Sequence, residues 1–141
     1  MSLNKKKSNY MDFVYYNCNP YQNHTGDCVY RALAYFMNES WKTAVMRLVR
    51  NAIVDGLVNF NYTTNIVTFM DRWNYKRHKA PRKGMTVREF GEEFAKKNEI
   101  YMIHVVKPRH MTIIDDGDLM DIWDCRDCVM DWYFKKEKEA V

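Results

Sequence analysis

The sequence lacks an apolar run that approaches the ~20 residues needed to span a membrane. The basic cluster at Lys5 to Lys7 is followed by polar residues, and not by the apolar stretch of a secretory signal. Internal repeats and linker-like shifts in composition are missing too. We therefore expect one cytoplasmic domain over residues 17–135 that binds no membrane, with residues 1–16 as a flexible leader and residues 136–141 as a frayed tail.

Strong charge of one sign is also missing, since the net charge is only +4. A dedicated nucleic-acid-binding domain is usually more basic, or carries its charge in a tighter cluster. The stretch from Arg72 to Arg88, with Trp73 and Tyr75, is where phosphate contacts and base stacking could occur. We favour a solvated loop for its basic part, residues 72–83, which leaves nucleic acid as a weakly supported partner.

Cysteine is sparse, with four residues, and nothing directs the chain to an oxidising compartment, so free thiols are expected. Cys125 and Cys128 form a Cys-x-x-Cys pair that could bind zinc together with Cys18 and a histidine. A structural zinc site usually shows a second ligand pair, which this sequence does not contain. We predict no metal and no cofactor.

The apolar pattern changes along the chain from helical spacing to short runs of β-forming residues. Helices are predicted over about 27–37, from 40 to Gly56, from about 64, and after a capping box of Thr86 and Glu89. Strands are predicted over 100–106, 110–114, 119–123 and 129–134. Helices followed by a small antiparallel sheet indicate an α+β fold.

Cys28 falls in the first turn of the first predicted helix. Free N–H groups and the helix dipole favour negative charge there, which stabilises a thiolate. A small buried apolar role is the alternative for a single cysteine in a helix. Nucleophilic catalysis also requires a base and a group that orients it.

The predicted strand hairpin supplies such a pair. A turn centred over 116–117 places Asp121 opposite Thr112, and His110 lies on the same face as Thr112 because side chains alternate along a strand. His110 and Asp121 are then diagonal neighbours. Asp124 faces away by the same parity and becomes an alternative acid only if the register slips.

A polar loop, a Gly-Asp-Cys28 helix start, and later His110 and Asp121 on successive strands resemble the papain-like cysteine peptidase superfamily. The stretch 23–32, with Asp121-Ile122-Trp123-Asp124 near the end, is similar to small phage and prophage proteins of that fold. The resemblance implies a papain-like α+β domain with Cys28 as nucleophile, His110 as base and Asp121 as the orienting acid.

In that family a glutamine six residues before the nucleophile donates a hydrogen bond to the oxyanion, and Gln22 holds this position. Asn23 is a competing donor, and hydrogen bonding within the loop is the alternative for both. The acid is an aspartate where papain has an asparagine, which leaves hydrolase and transamidase chemistry both open.

We predict a cysteine peptidase or amide hydrolase that acts by acyl transfer on a peptide or protein substrate, with a host protein as one candidate. The alternative is a catalytically silent phage-type protein that binds a host protein or nucleic acid. For a phage protein, the cytoplasm would be that of the host.

Overall fold

The structure, a computed structural model, describes residues 10–22, 26–57 and 63–138. Within these ranges an α+β arrangement of four helices and a six-stranded sheet is present. The helices are α1 (Cys28–Met37), α2 (Trp41–Asp55), α3 (Thr63–Arg72) and α4 (Val87–Glu93). The strands are β1 (Phe13–Tyr15), β2 (His78–Lys79), β3 (Glu99–Val105), β4 (His110–Asp115), β5 (Asp118–Asp121) and β6 (Met130–Glu137).

The helix ends follow local signals in the sequence. The side chain of Ser40 accepts a hydrogen bond from the Thr43 N–H at the start of α2. Gly56 ends α2 in the left-handed region with a φ of 70°, which a glycine adopts without a steric cost. Thr86 and Glu89 form the predicted capping box of α4. The predicted helices are thus confirmed to within about two residues.

The sheet is mixed, whereas an antiparallel sheet was predicted. Its strand order is β1-β5-β4-β3-β6-β2, and β1 pairs with β5 in parallel. The hairpin of β4 and β5 has the predicted register, with Asp115 opposite Asp118 and Ile113 opposite Met120. Asp116 and Gly117 form its turn with positive φ angles, as a tight hairpin requires.

The core lies on both faces of the sheet because successive side chains of a strand point to opposite sides. One buried cluster joins α1 and α3 to alternate sheet residues such as Met102 and Ile113. The other cluster joins α4 to the sheet residues next to these in sequence, among them Ile103 and Ile114. The sheet therefore holds α1, and with it Cys28, against one face.

Two predicted boundaries are wrong. Residues 13–15, expected in the flexible leader, form β1, and Met11 before them is buried. Burial of Met11 and the ladder to β5 tie this segment to the domain. At the other end β6 continues to Glu137, past the expected limit at 135. Residues 1–9 and 139–141 lie outside the described residues.

The stretch 72–83 is also more ordered than a loop. Arg72 ends α3, and His78–Lys79 pairs with Tyr133 and Trp132 of β6 as a short edge strand. Across the described ranges, no helix combines the length and the apolar character required to cross a membrane.

Candidate active site

Cys28 is the first residue of α1 and is partly buried. Its N–H belongs to the first turn, where amides have no acceptor within the helix. Asp27 precedes the helix, but its side chain does not cap these amides. It is instead held by Asn19, Arg31 and Trp41. The first-turn amides near Cys28 therefore receive no side-chain cap from Asp27.

His110 begins β4 and Asp121 ends β5, so the hairpin brings them together as predicted. The His110 Nε2 and Asp121 Oδ2 atoms lie 2.6 Å apart, and both residues are buried. The Asp121 Oδ1 atom accepts a hydrogen bond of 2.7 Å from the Ile122 N–H. The Trp123 ring lies 4.9 Å from the His110 ring and covers it. Asp121 is therefore held in an orientation that fixes the imidazole.

His110 also acts on the thiol of Cys28, so the predicted base and the predicted nucleophile are electrostatically coupled. Burial on its own would raise the pKa of the Cys28 thiol. The hydrogen bond and charge of His110, with a backbone hydrogen bond from Met111 and the charge of Arg31, bring this pKa below its ordinary value. The site thus stabilises the thiolate.

The pKa of the His110 imidazole is shifted in the opposite direction. Burial would lower the pKa of His110, but hydrogen bonds to Asp121, Cys125 and Cys28 raise it to about 11. A lowered thiol pKa beside a raised imidazole pKa shifts the equilibrium towards the thiolate–imidazolium pair. This pair is the reactive form of a nucleophilic cysteine.

The other cysteines differ from Cys28. Burial raises the pKa of Cys125, which is fully buried, even though a hydrogen bond to His110 opposes the shift. Burial likewise raises the pKa of Cys18. All four cysteines are free. Cys28 is therefore favoured as the nucleophile over Cys18 and Cys125.

The predicted oxyanion donor is engaged elsewhere. The Gln22 Nε2 group donates hydrogen bonds to the carbonyl oxygens of Asn17, at 3.3 Å, and Asn19, at 2.9 Å. Both of its hydrogens are used, so in this conformation Gln22 has the loop role and offers no free donor to an oxyanion. The competing donor Asn23 lies outside the described residues.

The alternative acid, Asp124, is not part of the cluster. Its carboxylate accepts hydrogen bonds from the Arg126 side chain and backbone, which lower its pKa. It is exposed, as the parity of the hairpin predicts for a residue that faces away.

His110, Asp121 and Cys125 lie close enough to share a metal ion, with ligand atoms within 4.8 Å of one another. The 2.6 Å between the His110 and Asp121 atoms is, however, a hydrogen-bond distance. Two ligands of one tetrahedral zinc would lie roughly 3.3 Å apart. The cluster found among the described residues contains neither Cys18 nor Cys128, so the zinc site considered from the sequence is not assembled there.

The chain matches no protein-family model, no curated protein and no solved structure.

Sequence reasoning missed the buried ions behind the site. Asp27 and Arg31 are both at least 96% buried and bond to each other across one helical turn. The Arg31 Nη2 atom lies 3.7 Å from Asp121 Oδ1. An acid and an arginine four residues apart at a helix start are a recognisable pair, but their burial against β5 is a tertiary effect. A second histidine has an acid partner as well, since the His104 Nδ1 atom lies 2.6 Å from Asp131 Oδ1.

Proposed function

We propose that this protein is a cysteine-dependent peptidase or amide hydrolase that works by acyl transfer. The observation that carries the proposal is a buried histidine bonded to a buried aspartate, beside a partly exposed cysteine at a helix N-terminus whose pKa the histidine lowers. Nucleophile, base and orienting group in this order form the arrangement that activates a thiol. We include in this proposal the papain-like cleft that the resemblance implies.

In the proposed reaction the Cys28 thiolate attacks a carbonyl carbon, and His110 gives its proton to the leaving amine. The free N–H groups at the start of α1 face the developing oxyanion. A water then attacks the thioester with His110 as general base, which releases the acid and restores the thiol. Asp121 keeps the imidazole oriented and stabilises its charged form in both steps.

A second candidate is a catalytically silent protein that binds a host protein or nucleic acid. The observation in its favour is the small space behind the Cys28 thiol, in a cavity that His110 does not line. The cavity lined by Cys28, Arg31 and Asp121 measures about 10 Å³. This is room for about one water molecule and for no side chain of a substrate. In the enzyme, a substrate must therefore approach from the exposed side of the thiol.

The first test is acyl transfer to the native chain from p-nitrophenyl acetate, followed by peptide mass spectrometry at each cysteine. The enzyme should carry a transient acetyl group on Cys28, formed faster than on Cys18, Cys125 or Cys128, and lost again by hydrolysis. C28S is the matched control and should release nitrophenol only at the background rate. Equal acetylation of all four cysteines would contradict the hydrolase and favour the silent binding protein.

A further inference from the structure

Arg31 is a buried cation beside the proposed catalytic groups. It lies one turn after Asp27 in α1 and is 4% exposed. Its Nη1 atom bonds to Asp27 Oδ1, and its Nη2 atom lies 3.7 Å from Asp121 Oδ1. Arginine is almost never this deeply buried unless it is paired, and removal of one partner leaves a costly unpaired charge. Arg31 is thus held between two acids, Asp27 and Asp121.

Each acid also has further hydrogen-bond donors. The Asp27 Oδ2 atom accepts from Asn19 Nδ2 at 3.0 Å and from Trp41 Nε1 at 3.1 Å. Asp121 accepts from His110 and from the Ile122 N–H. Asp27 therefore holds the Arg31 guanidinium on the side of the loop. The Arg31 Nη2 atom is directed to Asp121, the acid that orients His110.

We propose that Arg31 is a positioning residue of the same site, which fixes the Asp121 carboxylate towards His110 and supplies positive charge behind the Cys28 thiolate. This inference rests on the proposed function, but its test does not require the turnover of a substrate. Two buried carboxylates and one guanidinium leave one net negative charge, which the imidazolium of His110 neutralises. Without Arg31 the same pocket would contain two negative charges against one, and a thiolate would add a third.

The charged and titratable groups of Arg31 and of the site that it adjoins come from several elements. They are Tyr16 and Cys18 of the N-terminal segment, Asp27 and Cys28 at the start of α1, His110 of β4, Asp121 of β5, and Cys125 beyond it. Arg31 is the cation among them that stays charged at every working pH. Its effect is therefore constant while the thiol and imidazole titrate.

The test measures the iodoacetamide labelling rate of Cys28 against pH in wild type, R31Q, R31K and D27N, with circular dichroism to confirm folding. R31Q removes the positive charge, so the midpoint of the Cys28 profile should rise by about one pH unit, and labelling at pH 6 should slow about tenfold. R31K keeps the charge and should retain a midpoint near that of wild type.

D27N is the decisive control because it removes a negative charge but keeps an Oδ1 acceptor of the same shape for the Arg31 guanidinium. If charge is what Arg31 supplies, the midpoint in D27N should fall or stay, in the direction opposite to R31Q. A merely structural role would loosen the site in both variants and raise both midpoints, which would overturn the proposal. An unchanged midpoint in folded R31Q, or a rise in R31K as large as in R31Q, would overturn it as well.

If R31Q does not fold, D27N still tests the proposal, since a rise in its midpoint contradicts the charge role.

The proposed function and the role of Arg31 can be contradicted independently. Wild-type Cys28 that labels no faster than Cys18 would contradict the hydrolase, while the shifts among variants would still measure Arg31. Selective wild-type labelling with no shift in R31Q would contradict only the role of Arg31.

Discussion

The sheet contains two histidine–aspartate pairs with the same separation. His110 and Asp121 are joined at 2.6 Å, and so are His104 and Asp131. Both histidines are 7% exposed. The acids differ, because the side chain of Asp121 is 3% exposed and that of Asp131 is 43% exposed. A histidine bonded to an acid is therefore not in itself a sign of an active site.

The surroundings of the two imidazoles account for the difference. The His104 ring stacks in parallel on Trp132, with the ring centres 4.5 Å apart. His110 instead lowers the pKa of the Cys28 thiol, and the Cys125 thiol beside it donates a hydrogen bond of 3.7 Å to Asp121 Oδ2. The first pair packs at the surface of the sheet, and the second lies between a thiol and a buried acid. Only the second can transfer a proton to or from a nucleophile of the described chain.

The largest expected effect separates the two histidines. In H110A the Cys28 thiol loses its proton acceptor, so iodoacetamide labelling of Cys28 at pH 6 should fall about 100-fold. H104A is the matched control and should stay within about twofold of wild type. Labelling rates by peptide mass spectrometry decide this, and a similar loss in both variants would remove the distinction between the two pairs.

A smaller effect is expected at the acids. D121N removes the negative charge that stabilises the His110 imidazolium, so the labelling rate of Cys28 at pH 6 should fall about tenfold. D131N, at the exposed acid, should change it little because solvent screens that pair. The same rates, measured for both folded variants, test this order. A larger loss in D131N than in D121N would reverse the assignment of the acid.

The smallest effect concerns stability against pH. The pKa of His110 is raised from 6.5 to about 11 in the folded chain, which therefore binds this proton more tightly than the unfolded chain. The stabilisation is complete below about pH 6.5 and is lost as the pH rises towards 11. The free energy of unfolding in urea should thus decline more steeply from pH 7 to 10 in wild type than in H110A. Parallel declines would show that the proton on His110 does not stabilise the fold.

Local signals predicted much of the fold and of the site. The capping box of Thr86 and the turn over 116–117 set helix and hairpin boundaries, and the hairpin register then brought His110 to Asp121. These features depend on residues close in sequence, or on the two-residue period of a strand.

What could not be predicted depends on residues far apart in the chain. The parallel pairing of β1 with β5 joins Tyr15 to Asp121, and a three-residue strand carries too little pattern to predict its partner. The burial of Arg31 behind Asp121 arises only when α1 packs on the sheet. Gln22 held the expected position in the sequence, but its backbone is left-handed and its amide bonds within the loop.

The distance in sequence between Cys28 and its partners also sets the order in which the site is built. A ribosome makes the nucleophile early, and makes the strands with His110 and Asp121 near the end of the described chain. Contacts between such distant segments form late because their loop must first be closed. A nascent chain with Cys28 but without β4 and β5 thus holds an ordinary thiol. In the proposed enzyme, the fold thereby delays activation of the Cys28 thiol until the hairpin is complete.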